Sequence, residues 1–268
     1  KMKLDQIPES EHAIVDFSLC DFVDHTVMEG LHDYQRSFDR KNGLFETIGL
    51  DIHAAQTQHP FAVRKSLPIN MLMGLKNSLT NRQKNLADLA KQLSWKYLPK
   101  INSNPKGIKG FLFFESKVVN YSVNTLVHEK QKFSVFDLSY SEGAFITKED
   151  LKGTFLLFKS PVALPVFVLD KEDFKTALYQ WAGFNDINFK KHPDFSKRFH
   201  LSGNDHVEIK ALFNSDLIYF FESHPLFHIE SNGKQLLIKG NDRLSGLQEI
   251  KIMITFAKDL VSLLKNQK

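Results

Sequence analysis

The sequence predicts an α+β protein in which an antiparallel sheet, a meander plus a C-terminal hairpin, packs with three main helices. Residues 110–169 contain successive strand-like runs whose connections are too short for the crossovers that parallel strands require. The pair Asn232-Gly233 separates two further apolar runs, which is the strongest short-range signal for a hairpin. Apolar residues at helical spacing recur in three stretches, 69–97, 206–223 and 243–265.

The composition is that of a globular protein with an extensive core. Of the 268 residues, 42% are hydrophobic and 25% are charged. The 24 Phe residues carry no polar group, so they require burial in a core or at a partner surface. No run approaches eighteen apolar residues, so we expect no transmembrane segment. The single cysteine, Cys20, excludes an intrachain disulfide, and we expect a small buried residue there rather than a nucleophile.

Residues 1–68 form an acidic N-terminal segment that we expect to be largely helical. Apolar residues at roughly helical spacing run through 11–40, and Asn42-Gly43 is a plausible helix C-cap. Residues 43–68 predict irregular structure, because two prolines interrupt them. We therefore separate this segment from an α+β core domain that covers 69–268.

Charge is unevenly distributed, although the net charge is only +4. The first 60 residues hold 11 acidic and five basic residues, whereas residues 61–110 hold ten basic residues and one acidic residue, Asp88. Two interpretations remain open. The acidic segment packs near the basic helix of the same chain, or the basic segment faces an acidic partner or surface.

The stretch 69–97 has the clearest helical pattern in the chain. Leucines recur every seven residues from Leu72 onward, which predicts one helix of about 28 residues with a narrow apolar stripe. This stripe packs either on the adjoining sheet or against a second helix, of this chain or another. The residues that we select as partner-binding are Leu72, Leu75, Leu79, Arg82, Leu86, Arg64 and Lys65.

The remaining elements follow from short apolar runs and breaks. A short helix is predicted over 171–182, and residues 204–205 supply a natural N-cap for the helix over 206–223. Strands are predicted over 110–115, 118–129, 133–140, 154–159 and 164–169, with edge strands over 186–190 and 199–201.

The sequence contains no pattern that indicates catalysis, a cofactor or a metal. The 13 glycines form neither a dinucleotide-binding nor a Walker motif, and no G-x-S-x-G or H-E-x-x-H sequence occurs. His224 and His228, with Glu230 nearby, have the best metal-ligand spacing, but Pro225 breaks the helical register that would bring both rings to one ion. Asp51-x-His53 with His59 lies in a loop without further ligands. We therefore assign no catalytic, cofactor-binding or metal-binding residue.

Several sequence blocks occur in an order that resembles a known family. They include a helix ending at Trp95-Lys96-Tyr97, a sheet block at 135–140, a stretch at 193–201 and a hairpin that begins near Phe227. Over about residues 86–262 this order resembles an uncharacterised bacterial domain family that is often tethered by membrane helices. The family has no assigned activity, so the resemblance implies no site residues. This chain departs from the pattern because its N-terminal segment is acidic.

From these observations we expect a non-enzymatic protein-interaction module, an accessory subunit of a larger bacterial secretion or envelope assembly. A protein partner or homo-oligomer is expected and nucleic acid is not, while peripheral membrane association stays open. The expected location is cytoplasmic, including the inner face of a membrane complex. One alternative is a hydrolase or metal-dependent enzyme of unfamiliar type. Another is a binder of anionic lipid or RNA through residues 61–110.

Overall fold

The structure, a computed structural model, describes residues 4–73, 79–143, 148–171 and 185–266. It confirms the α+β class, with helices packed on a large antiparallel sheet. No helix among the described residues is long and apolar enough to cross a membrane. The helices are α1 (His25–Arg40), α2 (Ile69–Leu72), α3 (Asn81–Leu93), α4 (Pro193–Arg198), α5 (His206–Leu212), α6 (Ser215–Ser223) and α7 (Leu247–Asn266), with short 3-10 turns at Leu4–Gln6, Leu50–Ile52 and Leu112–Phe114.

The described strands form one large sheet and two small ones. In chain order they are β1 (His12–Asp16), β2 (Phe22–Val23), β3 (Leu44–Ile48), β4 (His53–Ala55), β5 (Arg64–Ser66), β6 (Lys96–Leu98), β7 (Lys117–His128), β8 (Phe133–Glu142), β9 (Glu149–Lys159), β10 (Val166–Lys171), β11 (Asn185–Asp186), β12 (Phe199–Gly203), β13 (His228–Asn232) and β14 (Gln235–Lys239).

The N-terminal segment contains more strand than its sequence predicts. Only α1 is a long helix; Asp24 caps its start by accepting a hydrogen bond from the Val27 amide at 2.7 Å. Strand β1 precedes α1 in the sequence and β3 follows it, and these two strands pair in parallel. Strands β2, β5 and β4 form a separate small sheet. The apolar residues of 11–40 belong to β1, β2 and α1. Together their spacing resembles that of one helix, which is why the sequence predicts a largely helical segment.

The predicted helix over 69–97 is interrupted. Helix α2 ends at Leu72, and α3 begins at Asn81 after a capping box in which Thr80 and Gln83 satisfy each other's backbone amides. Ser94 adopts a left-handed conformation with φ of 57°, which ends α3 before β6. The heptad leucines therefore do not lie on one continuous helix.

Strand order in the large sheet departs from a simple meander. The order is β11-β12-β10-β13-β14-β9-β8-β7-β6, so the hairpin of β13 and β14 lies between β9 and β10. The sequence predicts β9 and β10 as successive neighbours. Leu236, Leu237 and Ile238 are all buried, and such a continuously apolar strand needs cover on both faces and a strand on both sides.

Three further predictions need correction. Residues 110–115 form the 3-10 turn Leu112–Phe114 instead of a strand, and this turn packs on the sheet. The helix predicted over 206–223 is divided into α5 and α6, because Asn214 starts a new helix by accepting from the Leu217 amide at 3.0 Å. The predicted helix over 171–182 falls almost wholly outside the described residues.

The large sheet separates two apolar clusters. Along β9, Leu156 and Phe158 join the cluster covered by α3, α5, α6 and α7, whereas Phe155 and Leu157 join the cluster beneath residues 108–114. This alternation follows from the two-residue period of a strand. A third cluster lies inside the N-terminal segment, between α1 and the β1–β3 pair.

Candidate functional site

Arg82 lies at the centre of a buried polar network that joins the N-terminal segment to the sheet. Its guanidinium donates to both carboxylate oxygens of Asp137, at 2.6 and 3.1 Å, and to Asp51 at 3.4 Å. It also donates to the backbone carbonyl of Ser245 at 2.9 Å. Burial by itself lowers the pKa of Arg82, but the carboxylates of Asp137 and Asp51 outweigh burial and raise it. The cation is thus held in its charged form inside the protein.

Asn124 completes this network from a bulge in β7. Its φ of 55° places the side chain between the two carboxylates, and its amide donates to Asp51 at 2.8 Å and Asp137 at 3.0 Å. Its carbonyl accepts from Gln83 and from the Tyr97 hydroxyl. Apart from Arg82 Nε, the side-chain groups of this network are hydrogen-bonded to one another or to the backbone, so the network joins the N-terminal segment to the sheet.

Two further contacts attach the N-terminal segment to the core. The Glu46 carboxylate accepts from the Leu247 amide at 2.7 Å, which satisfies the first turn of α7. Lys152, on β9, donates to the carbonyl of Ser18. The acidic segment therefore meets the core through specific polar contacts beside the sheet.

A groove of about 640 Å³ opens where this segment meets the sheet, and we call it the docking groove. The N-terminal segment supplies one wall, α2 the second, and β7, β8 and β9 the third. The residues that line it are Ser18, Leu19, Cys20, Asp21, Ile52, Ser66, Leu67, Ile69, Leu72, Val119, Asn120, Tyr121, Ser139, Lys148, Asp150 and Lys152.

Large apolar side chains are exposed at the docking groove. Leu19, in the turn that follows β1, lines it and is 86% exposed. On α2, Leu72 lines the groove, and its neighbours Met71 and Met73 are 58% and 53% exposed. Contiguous exposed apolar surface marks interaction sites on folded proteins, and Leu19, Ile69 and Leu72 supply apolar surface to this groove. Methionine suits such a surface because its side chain adapts to different partners.

The structure divides the predicted partner-binding residues between surface and interior. Arg82 and Leu86 are buried, the first in the polar network and the second in the main apolar cluster. Arg64 is buried too, and this burial lowers its pKa although the charge of Asp51 opposes the change. Leu72 lines the docking groove, and Leu79 and Lys65 are exposed, while Leu75 lies outside the described residues.

A histidine and two carboxylates meet on the other face of the sheet. His228 contacts Asp170 at 2.8 Å and lies 3.8 Å from Glu230. Glu230 also accepts from the backbone amides of Leu112 and Phe113 and so holds the 3-10 turn against the sheet. Burial lowers the pKa of His228, but the two carboxylates outweigh burial and raise it. The sequence pattern placed Glu230 near His228. It gave no indication of Asp170, which lies 58 residues from His228 along the chain.

The other histidine cluster considered from the sequence is engaged within the fold. His53 is buried, with its ring nitrogens 3.0 Å from the Gly49 carbonyl and 2.6 Å from the Cys20 carbonyl. Asp51 belongs to the Arg82 network, and His59 stacks on His25 at 5.7 Å. Among the described residues, no group of three or more His, Cys, Asp or Glu is arranged to hold a metal ion.

Comparisons with known proteins assign no family to the chain. No family model matches it, and no curated protein matches it. Among solved structures, the crystal structure of the mycobacterial trehalose monomycolate transport factor A, TtfA, is similar to it with a TM-score of 0.47 and 10% sequence identity. The match covers 69% of this chain and 96% of that chain. The resemblance of residues 86–262 to a bacterial domain family therefore stays a prediction.

Proposed function

We propose that this protein is a non-enzymatic interaction module whose docking groove receives an apolar segment of a partner protein. The observation that carries the proposal is the position of Leu19, 86% exposed at the rim of a groove that α2 closes with Leu72. Exposing a leucine to water costs about 2 kcal/mol relative to burying it. Contact with a partner's apolar side chains would recover that free energy.

The polar residues of the docking groove support the same proposal. Lys152 already donates to the Ser18 carbonyl, and Asp150 accepts from the Ser141 hydroxyl at 2.7 Å. These polar groups line the groove together with apolar residues such as Leu19 and Leu72, and protein–protein interfaces combine both kinds of residue. The role that we propose is that of an accessory subunit in a bacterial secretion or envelope assembly. The sequence resemblance to a bacterial domain family supports that setting.

Site-specific photo-cross-linking tests the docking groove directly. A photoreactive phenylalanine analogue placed at Leu19 should cross-link to one protein in cells that make this chain at its normal level. The matched position is Val207 on α5, which is 81% exposed and lies outside the groove. We expect a discrete cross-linked species from position 19 and none from position 207.

Charge introduction separates binding from folding. Leu19→Glu should abolish the cross-link from a second probe at Leu72, which also lines the groove, whereas Val207→Glu should leave it unchanged. Both sites are solvent-exposed, so neither substitution should change the free energy of unfolding by more than about 0.5 kcal/mol. Equal cross-linking from positions 19 and 207, or no cross-link from either groove position, would overturn the proposal. A cross-link to a second copy of this chain would identify a homo-oligomer as the occupant.

A further inference from the structure

A second concave surface lies at one end of the large sheet, and we call it the lysine groove. The turn between β7 and β8, the end of β9 and the last turns of α7 enclose a volume of about 620 Å³. These elements are distant in sequence, and the fold alone brings them together. Five lysines line the groove, namely Lys130, Lys132, Lys159, Lys258 and Lys265.

Among the residues that the structure describes, no carboxylate pairs with these five lysines. The described residues that line the groove include neither Asp nor Glu, and none of the five lysines forms an ion pair within the described part of the chain. Glu129 lies next to them in sequence, but its carboxylate pairs with Lys96 at 3.1 Å. Five like charges around one concavity repel one another and create a positive potential that attracts anions.

The less exposed residues of the lysine groove, which form its floor, include four apolar side chains. They are Leu93, Trp95, Phe133 and Val261. Trp95 is only 7% exposed, because His128 and Phe133 pack against its ring at 5.7 and 6.1 Å. The ammonium of Lys258 lies 5.8 Å from the centre of the same ring. A ligand in this groove would meet lysines at its rim and apolar side chains beneath.

We propose that the lysine groove binds an acidic polypeptide segment that carries apolar side chains among its carboxylates. The carboxylates would pair with the lysines, and an apolar side chain would rest on the floor. This function goes beyond the docking groove, because the two surfaces share no lining residue and differ in charge.

Two other classes of anionic partner fit the lysine groove less well. Single-stranded RNA binds through exposed aromatic platforms, whereas Trp95 is buried and packs against His128 and Phe133. Membrane association through a basic surface is strengthened by apolar side chains that protrude and insert. The large hydrophobic side chains that are exposed, such as Leu19 and Met71, do not line this groove.

Fluorescence anisotropy with a defined probe tests this proposal on the full chain. The probe is a fluorescein-labelled twelve-residue peptide of Glu, Asp and Leu, compared with a twelve-nucleotide oligouridylate and with vesicles of phosphatidylglycerol and phosphatidylcholine. The groove variant combines Lys130→Glu, Lys132→Glu and Lys159→Glu. The control variant combines Lys190→Glu, Lys197→Glu and Lys210→Glu, which are also exposed and give the same net charge.

We expect the groove variant to bind the peptide at least about tenfold more weakly and the control variant to bind it within about twofold of wild type. Replacing Leu by Ser in the probe should also weaken binding, because the floor would lose its apolar contact. Circular dichroism establishes that both variants are folded. Leu19→Glu should leave the affinity for the peptide unchanged. The proposal for the lysine groove can therefore fail or hold independently of the proposal for the docking groove.

Three outcomes would overturn the assignment. Equal weakening by the two triple variants would show that overall charge, and not the groove, binds the peptide. Groove-dependent binding of oligouridylate or of vesicles that is tighter than peptide binding would replace the polypeptide with that partner. Absence of peptide binding by wild type at low salt would remove the electrostatic basis altogether.

Discussion

Arg82 and the lysines of the groove show two contrasting uses of positive charge in one chain. Arg82 is buried and meets the carboxylates of Asp51 and Asp137, which lie 31 and 55 residues away in sequence. The five groove lysines are arranged around one concavity and meet no carboxylate among the described residues. A buried cation requires partners, whereas an exposed one does not. The carboxylates that the fold supplies therefore decide whether a basic residue stabilises the structure or remains available to a partner.

The largest effect is expected from breaking the buried network. Arg82→Met should lower the free energy of unfolding by about 3–5 kcal/mol, because it leaves two carboxylates buried without their cation. Urea denaturation followed by circular dichroism measures this loss. Adding Asp51→Asn and Asp137→Asn to Arg82→Met should restore part of it. A loss below about 1 kcal/mol would mean that water reaches the network.

A second effect, of about 1–3 kcal/mol, is expected at His228 and should depend on pH. The pKa of His228 is raised, so its stabilisation is complete below about pH 6.5 and is lost as pH rises through the raised pKa. The pKa of Asp170 is lowered even though burial opposes this, so its contribution is present above about pH 3.8 and is lost at lower pH. The stability advantage of wild type over His228→Asn should therefore be largest between these values.

Urea denaturation at pH 5, 7 and 9 measures that advantage. The control is His32→Asn, which replaces an exposed histidine on α1 and should show no comparable change with pH. If the advantage over His228→Asn grew from pH 5 to pH 9, the proposed charged pair with Asp170 would be wrong.

The smallest effect is expected from an exposed ion pair close to the lysine groove. Lys96 and Glu129 are 3.1 Å apart and both side chains are well exposed. Lys96→Met should change the free energy of unfolding by less than about 1 kcal/mol, because solvent screens the pair and both side chains lose entropy on forming it. A change as large as that of Arg82→Met would contradict the contrast between buried and exposed cations.

Local patterns predicted most elements of the core domain but not their neighbours. The hairpin at Asn232-Gly233, strands β7 to β9 and helix α7 follow from turn chemistry and periodicity. The break before α3 was also readable, since Thr80 and Gln83 have the spacing of a capping box. The insertion of that hairpin between β9 and β10 could not be predicted, because the choice of neighbouring strands depends on contacts between residues far apart in the sequence.

The candidate sites were less predictable than the fold. Periodicity placed Leu72, which lines the docking groove, and Leu86, which is in the core, in one stripe. A sequence period cannot distinguish an apolar residue that faces a partner from one that faces the sheet. Leu19 gave no signal, because a single leucine in a turn is indistinguishable from a core residue.

The sequence by itself determined the α+β class, most strands and helices, and the acidic character of the N-terminal segment, because these depend on side chains close together along the chain. Tertiary structure alone decided that Arg82 faces inward and that lysines from positions 130 to 265 share one groove. The reason is physical: the free energy of a charge depends on the groups within a few ångströms of it, and those groups come from distant parts of the chain.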